Sequence, residues 1–218
     1  MQIVEHAVIA AAGMGTRLGF GQPKCLIEVN GKPLIGHLLD RLRNVPNVRV
    51  VTGFMAADVI DYVSQVRKDV IFVQNHAFRS TTTLTSYVMG AVGINSPVLY
   101  MDADIYFEPN SFSNFLVECE QKTGSIIAVT HTKTQDCVYV HRDTQKCATG
   151  FSRTKASDWE WANLAWLEKN ILRDRNTSVY VQLEKSLPLK TCEIIGYEVD
   201  TPEDYSVLMT KISKNEAS

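Results

Sequence analysis

A glycine-containing loop near the start of the chain has the residue types that bind phosphate. Residues 10–17 read Ala-Ala-Ala-Gly-Met-Gly-Thr-Arg and follow a short apolar run. Gly13 and Gly15 lack a Cβ, so the backbone can approach a ligand closely. Backbone N–H groups in such a loop can converge on an anion. Arg17 offers a planar fork of donors and Lys24 a compact second cation, so the pattern predicts a phosphate-binding loop with two cations directed into it.

Two pairs of acidic residues have a spacing suited to a metal site. Asp102 and Asp104 follow a predicted buried strand, and Glu198 and Asp200 repeat the same spacing late in the chain. Ligands bind at the carboxyl ends of strands in open α/β sheets, so these side chains are expected to meet beside the loop. Because neighbouring carboxylates repel one another, a divalent cation is expected among them. Mg²⁺ suits the set, since it binds one or two carboxylates together with phosphate oxygens and waters.

The elements that must position these residues alternate between strand and helix. This alternation predicts an α/β fold with a three-layer, Rossmann-like and mostly parallel sheet, helices on both faces and a small antiparallel and helical insertion. Strands are predicted at residues 7–9, 26–29, 48–52, 70–73, 97–101, 125–130 and 192–200, with a hairpin pairing 137–140 and 147–151. Helices are predicted at residues 33–42, 56–66, 81–92, 110–122, 158–172 and 179–185, and from residue 202.

The length and charge of the chain limit its class. Its 218 residues are expected to form one domain, with residues 1–130 and 191–218 as a core that carries the loop and the acids and residues 131–190 as an insertion that covers the site. Twenty-two basic and 24 acidic side chains give a net charge of −2, so nucleic acid is not expected as a partner. The apolar runs are too short to span a membrane. The first residues lack a secretion signal and the five cysteines show no zinc or disulfide spacing, so we expect a cytoplasmic protein.

Three kinds of phosphate loop compete for residues 10–17. A dinucleotide fingerprint needs a small residue where the chain has Leu18, and a Walker loop needs a Gly-Lys-Ser/Thr that is absent. The third kind, small-small-Gly-x-Gly-x-Arg followed by Pro-Lys, fits at every position. Residues 8–35 thus resemble the N-terminal loop of the NTP-transferase superfamily, which includes sugar-phosphate and phosphocholine nucleotidyltransferases.

Two further segments carry the same resemblance. Residues 101–107 are similar to the family's strand-end motif, hydrophobic-Gly-Asp-x-x-Phe, with Asp104 on the metal aspartate and Asp102 as an extra acid. Ala103 replaces the glycine, as it does in the bacterial phosphocholine cytidylyltransferase-like branch, to which the chain is most similar. Residues 198–204 resemble the second metal segment of the family.

The resemblance implies a reaction, a set of site residues and a division of the chain, in which residues 1–130 and 191–218 form the nucleotide and metal core and residues 131–190 cover the acceptor. An NTP would lie with its triphosphate on the loop, and an acceptor phosphate or phosphonate held by Lys24 would attack the α-phosphorus and release pyrophosphate. Arg17 and Lys24 would be catalytic, and Mg²⁺ would be held by Asp104, Glu198 and Asp200. The nucleotide-binding residues would be Ala10, Ala11, Ala12, Gly13, Met14, Gly15, Thr16, Arg17, Asn75, Ser80 and Asp102.

The base and the acceptor are less constrained. The resemblance favours CTP, with a threonine-rich helix start in which Thr82 would contact the acceptor. Trp159, Trp161 and Tyr180 could form an aromatic cage for the quaternary ammonium of phosphocholine, or they could be core residues. Two other kinds of acceptor fit the sequence as well. One is a primary amine such as 2-aminoethylphosphonate, and the other is a more anionic acceptor bound by histidines and arginines, namely His131, His141, Arg142 and Arg153.

The sequence therefore predicts an Mg²⁺-dependent cytidylyltransferase acting on a small phosphate or phosphonate metabolite. A sugar-1-phosphate nucleotidyltransferase using UTP or dTTP is an alternative of the same class. A non-catalytic nucleotide-binding regulator is an alternative of another class, although it would not need the complete set of metal-binding acids. The sequence is compatible with either a monomer or a homodimer.

Overall fold

A computed structural model of the protein describes residues 4–15, 21–121, 124–133, 136–173 and 177–216. The strands are β1 (His6–Ala11), β2 (Glu28–Val29), β3 (Lys32–Pro33), β4 (Asn47–Thr52), β5 (Ile71–Gln74), β6 (Val98–Asp102), β7 (Ile105–Phe107), β8 (Ile126–His131), β9 (Tyr139–Arg142), β10 (Cys147–Ser152), β11 (Trp159–Leu167), β12 (Leu189–Glu193) and β13 (Gly196–Glu198). The α-helices are α1 (Leu34–Arg41), α2 (Ala56–Val66), α3 (Thr83–Gly90), α4 (Pro109–Gln121), α5 (Val179–Glu184) and α6 (Pro202–Glu216).

Within these residues, nine strands form one sheet in the order β5-β4-β1-β6-β11-β8-β12-β10-β9. Only β11 and β10 run against the common direction, as their antiparallel pairings with β6, β8, β12 and β9 show. The prediction of a mostly parallel sheet is therefore confirmed. β11 also pairs with β9, so β11, β8, β12, β10 and β9 close into a ring of five strands. The predicted hairpin is the β9–β10 pair within this ring.

Helices cover both faces of the sheet, because successive side chains of a buried strand point to opposite sides. On β1, Ala7 and Ile9 belong to one apolar core, and Val8 belongs to the other. The first core includes residues of α1, α2 and α4, and the second includes residues of α3 and α5. The three-layer prediction is confirmed. α6 packs in a third, smaller cluster with the β2 region, in which Val29 and Leu208 are buried.

The predicted helix over residues 158–172 is wrong, because β11 occupies Trp159–Leu167. Trp159 and Trp166 are seven residues apart, which matches a helix face, and no simple alternation marks a strand. The alternation fails because the pairing of β11 with β8 shifts between Trp161 and Ala165. Asn163 adopts a left-handed backbone with φ 49° at this irregularity, a conformation that asparagine tolerates better than most residues.

The predicted strand over residues 192–200 is two strands in different sheets. β12 pairs with β8 in the main sheet, whereas β13 pairs with β7 in a separate two-stranded sheet. The chain leaves the main sheet at Ile195, whose carbonyl accepts a hydrogen bond from the Glu108 N–H and whose N–H donates to Ser111 Oγ. This break allows the late acids to reach β7, which begins directly after Asp104. The predicted strand at residues 26–29 is likewise shorter, since a 3₁₀ turn covers Lys24–Leu26 before β2.

No helix in the described parts of the chain has the length and apolar character required to cross a membrane.

Candidate active site

The predicted phosphate loop leaves the carboxyl end of β1. Its backbone is tied to the neighbouring strands, because Ala103 N–H donates to Ala10 O at 3.0 Å and Phe54 N–H donates to Ala12 O at 3.2 Å. Ala11 and Ala12 are buried against these neighbours. The residues of the loop that the structure describes end at Gly15. Thr16 and Arg17, both predicted to bind the triphosphate, lie outside the described residues.

Two features of the structure favour glycine at position 15, namely its backbone conformation and its close packing against Lys24. Its φ is +62°, and a Cβ built on it would lie 2.6 Å from Lys24 Cγ. Carbon atoms in favourable contact are about 3.5–4.0 Å apart. The second glycine of the loop therefore serves the packing of Lys24 against the loop, a role that the sequence pattern does not reveal.

Lys24 connects the loop with the acidic residues. Its ammonium lies 3.3 Å from Asp104 Oδ2 and contacts Asp200 Oδ1 more closely still. The three side chains are 14%, 22% and 19% exposed, so this ion-pair cluster is largely shielded from solvent screening. The predicted convergence of loop cation and acids is observed. The catalytic and acceptor-binding roles of Lys24 stay predictions.

Three carboxylates form the predicted metal set. Asp104, Glu198 and Asp200 each offer an oxygen, and these oxygens lie within 4.8 Å of one another. The β7–β13 pairing brings them together, since Glu198 is opposite Ile105 and the Val199 N–H donates to Asp104 O. Mg²⁺ binds oxygens at about 2.0–2.1 Å, so ligands on opposite sides of the ion are about 4.2 Å apart. Small side-chain movements would therefore suffice, and this all-oxygen donor set fits Mg²⁺.

Asp200 is held by the start of α6. Asp204 Oδ2 accepts hydrogen bonds from the N–H groups of Asp200 and Thr201 and from the Thr201 hydroxyl, at 3.2, 2.9 and 2.8 Å. In return the Asp204 N–H donates to Thr201 Oγ1 at 3.2 Å. This is a reciprocal helix cap. The predicted cap is confirmed, and it also orients one of the three acids.

Asp102 faces a different partner from Asp104, because the backbone turns at Ala103 and Asp104. The Tyr87 hydroxyl of α3 donates to Asp102 Oδ1 at 2.6 Å. Desolvation and the neighbouring carboxylate of Asp104 raise the pKa of Asp102 well above its usual range, against the lowering effect of the Tyr87 hydrogen bond. Asp102 thus lies beside the three-carboxylate set without belonging to it. Its predicted nucleotide contact stays a prediction.

A cavity of about 600 Å³ lies beside the loop, between the end of β5 and the start of α3. Its lining residues are Gln74, Asn75, His76, Ala77, Ser80, Thr81, Thr82, Thr85 and Met89. Three residues predicted to bind nucleotide or acceptor, Asn75, Ser80 and Thr82, therefore line one cavity. Its position at the carboxyl edge of the sheet and its mixture of amide, hydroxyl and carbonyl groups suit a nucleoside.

The polar groups of this cavity are already partly bonded within the protein. Asn75 is buried; its amide donates to Thr81 Oγ1 at 2.9 Å and Ser86 Oγ at 3.3 Å, and its Oδ1 accepts from Ala77 N–H at 3.1 Å. Asn75 therefore stabilises the conformation of the segment between β5 and α3. The Ser80 hydroxyl donates to Ala77 O at 3.2 Å and retains lone pairs for a ligand.

Arg79 is a residue near the site that the sequence interpretation missed. It is exposed, its Nη1 lies 3.9 Å from Met14 Sδ of the phosphate loop, and its guanidinium lies 5.4 Å from the centroid of the Phe78 ring. This places a cation between the loop and the cavity. Its position in the segment between β5 and α3, among residues already expected to contact nucleoside, was the available signal.

The three aromatic residues predicted to bind the acceptor lie on the same face of the sheet as α3. Trp159 stacks with His131 at 4.2 Å between centroids, and the Arg142 guanidinium lies 4.4 Å from the centroid of its ring. The guanidinium of Arg153 lies 5.7 Å from the centroid of the Tyr180 ring.

Trp161 is only 8% exposed and packs in the second core. Its indole Nε1, a donor only, has no hydrogen-bond partner among the described residues. Core packing, the alternative interpretation of the tryptophans, thus describes Trp161 better than Trp159, which is half-buried. Their acceptor contacts stay predictions.

Comparison with known proteins agrees with this geometry. A family model for the MobA-like NTP transferase domain matches residues 7–163. The chain is 27% identical over 146 residues to 2-C-methyl-D-erythritol 4-phosphate cytidylyltransferase of Synechococcus sp. (strain CC9902), a match that covers 64% of this chain and 65% of that relative, just under two thirds of its length. It is 28% identical over 238 residues to choline-phosphate cytidylyltransferase of Streptococcus pneumoniae, which covers 96% of this chain and 99% of the relative.

Among solved structures, that of CTP:phosphocholine cytidylyltransferase from Streptococcus pneumoniae has a TM-score of 0.78 at 20% identity and covers 95% of this chain and 98% of that one. At this identity the likeness concerns the fold. The family match extends over more than half of the chain and includes the loop, Lys24 and the first acids of the site. The chain therefore belongs to the MobA-like NTP transferase domain family.

Proposed function

We propose that this protein is an Mg²⁺-dependent cytidylyltransferase that joins the nucleoside monophosphate part of CTP to a small phosphate or phosphonate metabolite and releases pyrophosphate. The observation that carries the proposal is the convergence of the glycine loop, Lys24 and three carboxylates at one edge of the sheet. A module that only bound nucleotide would not need all three acids beside a largely shielded lysine.

The residues suit nucleotidyl transfer without a general base. An acceptor phosphate or phosphonate is already anionic at pH 7, so it can attack the α-phosphorus without losing a proton to the enzyme. The protein must then position two anions and stabilise charge, as in phosphoryl transfer generally. The loop N–H groups would bind the triphosphate, and Lys24 would hold the acceptor oxygen.

The carboxylates have a matching role. Asp104, Glu198 and Asp200 would hold Mg²⁺, which supplies charge neutralisation to phosphate oxygens when it is bound. Asn163 supports this set, since its amide donates to Glu198 Oε2 at 3.4 Å. In the described structure Lys24 neutralises part of the carboxylate charge. We propose that Lys24 turns from the acids to the acceptor when nucleotide and metal bind.

CTP is favoured because both of the relatives described above are named as cytidylyltransferases. Those two act on different acceptors, an erythritol phosphate and choline phosphate, so they leave the acceptor of this chain undetermined. The cysteines of the described structure are free, which supports the proposed cytoplasmic location. A monomer or a homodimer is equally compatible with the proposal.

The proposal is tested by pyrophosphate release from CTP, UTP, dTTP, GTP and ATP, each combined with a panel of phosphate and phosphonate acceptors and sugar-1-phosphates. We expect turnover with CTP and a non-sugar acceptor, abolished by EDTA and restored by Mg²⁺. Turnover only with UTP or dTTP and a sugar-1-phosphate would replace the proposal by the sugar nucleotidyltransferase alternative. Nucleotide binding without turnover for any pair would favour a regulator.

A further inference from the structure

We propose, on the basis of the cytidylyltransferase function proposed above, that the acceptor carries a second group with hydrogen-bond-accepting oxygens, such as hydroxyls or a carboxylate, and that Arg153 binds it. The same geometry argues against a quaternary ammonium at that end of the acceptor. The inference rests on the two arginines that lie beside the rings of Trp159 and Tyr180, which are among the residues predicted to contact the acceptor.

An aromatic cage holds a quaternary ammonium only if the faces of its rings are accessible to the ligand, within about 6 Å of the ring centroid. Two of the three rings expected for such a cage already have a cation of the protein at that position. Arg142 lies 4.4 Å from the centroid of Trp159, which also stacks with His131. Arg153 lies 5.7 Å from the centroid of Tyr180. A cationic ligand would have to displace these groups and would be repelled by their charge.

Arg142 is not readily displaced. Its side chain is only 7% exposed, and both Nη atoms lie 3.2 Å from Glu193 Oε1. Against the effect of desolvation, hydrogen bonds from Lys146 and Arg142 hold the pKa of Glu193 below its usual range. Glu193 is therefore a carboxylate already shared by two cations. It is not an acid available to an ammonium ligand.

Arg153 is placed differently from Arg142. It is exposed, its Nη1 donates to the carbonyl of Asp136 at 3.3 Å, and no carboxylate among the described residues forms an ion pair with it. Its charge is thus available to an incoming oxygen. Guanidinium groups suit this task because their donors form a planar fork that matches carboxylates and paired hydroxyls.

The position of Arg153 is consistent with an acceptor contact. Its partner ring, Tyr180, packs against the same core as Trp161 and Tyr87, and Tyr87 bonds Asp102 of the site. The Thr82 hydroxyl donates to Thr177 O at 3.1 Å, which ties the start of α3 to the segment before α5. Because Thr82 lines the cavity and Thr177 lies three residues before Tyr180, this hydrogen bond places the start of α5, which carries the ring beside Arg153, next to the cavity.

The inference is tested by binding, so that it does not depend on turnover. Calorimetry would compare glycerol 3-phosphate, 3-phosphoglycerate, phosphoethanolamine and phosphocholine, each added to protein saturated with Mg²⁺ and a non-hydrolysable α,β-methylene CTP analogue. We expect one of the first two to bind at least about ten-fold more tightly than phosphocholine, the difference that one hydrogen bond to a charged group produces. The more tightly bound of the two shows whether hydroxyls or a carboxylate are preferred.

Arg153→Gln should remove this preference by weakening the oxygen-bearing acceptor about ten-fold. The matched control is Arg173→Gln, another exposed arginine that donates to a backbone carbonyl, here Asn170 O at 2.5 Å, beyond the other end of β11. It should leave the preference unchanged. Phosphocholine binding as tightly as the others, no binding of any acceptor, or an unaltered preference in Arg153→Gln would each overturn the inference.

Pyrophosphate release, measured separately, tests the proposed function. Efficient turnover of CTP with phosphocholine would support the function while overturning this inference. If the protein binds glycerol 3-phosphate or 3-phosphoglycerate more tightly than phosphocholine but releases pyrophosphate from no nucleotide, the inference about the site is upheld and the catalytic proposal is overturned.

Discussion

Gly15 of the predicted phosphate loop packs against Lys24, so its replacement tests where Lys24 must lie. In Gly15→Ala the new Cβ would lie 2.6 Å from Lys24 Cγ. Since favourable carbon contacts are about 3.5–4.0 Å, the lysine stem or the loop must move by about 1 Å. The substitution also places alanine at φ +62°, which costs about 1–2 kcal/mol of folding free energy.

The two effects have different readouts. A misplacement of about 1 Å in a catalytic group lowers a rate by about 100-fold. We therefore expect kcat/KM for pyrophosphate release to fall by about that factor, while the free energy of unfolding in urea falls by only about 1–2 kcal/mol. The assay is steady-state pyrophosphate release with CTP and the best acceptor found in the panel.

Gly31→Ala is the matched control. Gly31 also has a positive φ, +71°, but a Cβ added to it would have nothing within 4 Å. It should lose similar stability and keep its activity. If Gly15→Ala and Gly31→Ala lose the same activity, or if Gly15→Ala is fully active, the reasoning that Gly15 positions Lys24 for catalysis is refuted.

Three further predictions concern the acids and the pH dependence of stability. Asp104→Asn should lower Mg²⁺-dependent pyrophosphate release by at least about 100-fold while thermal melting stays close to wild type, and retained turnover would remove Asp104 from the metal set. Asp204→Ala should lower the free energy of unfolding in urea by about 1–2 kcal/mol, because the hydrogen bonds to Thr201 at the start of α6 are lost; an unchanged midpoint would contradict this. Desolvation lowers the pKa of His37, whose Nε2 lies 2.8 Å from Val29 O, so the folded state favours the neutral ring. The contribution of neutral His37 to the free energy of unfolding is then complete above the unfolded pKa of about 6.5. It is lost as the pH falls toward the lowered pKa of the folded state. Wild type should therefore lose more stability between pH 7 and pH 5 than His37→Gln, and equal losses would refute the assignment.

Features that depend on local order in the chain were predicted well from sequence. The helix over Ala56–Val66 has the predicted bounds, and the cap formed by Thr201 and Asp204 is present, because both depend on residues within one or two turns. The β9–β10 hairpin is also present where it was expected. The loop motif predicted the family correctly, since its glycines and Lys24 are short-range chemistry in a fixed order.

Features that depend on distant pairing were predicted poorly. The sequence pattern predicts a helix where β11 lies, because the irregularity at Asn163 interrupts the alternation of a strand, and only pairing with β6 and β8 makes the segment a strand. The sequence pattern predicts one strand over residues 192–200, yet Glu198 reaches Asp104 through a separate pairing of β13 with β7. Nothing near Glu198 in the sequence specifies that partner, because backbone hydrogen bonds between strands do not depend on side-chain identity.

The sequence by itself determined the chemistry available: a glycine loop for phosphate, a lysine and three acids suited to a divalent cation. The tertiary structure decided which of these groups meet. It paired Lys24 with Asp104 and Asp200, placed the Tyr87 hydroxyl on Asp102, and placed arginines beside the rings of Trp159 and Tyr180. The type of a residue fixes which ligands its side chain can bind. Which of these it does bind depends on the neighbours that already occupy its charged and hydrogen-bonding atoms. Those neighbours come from distant parts of the chain.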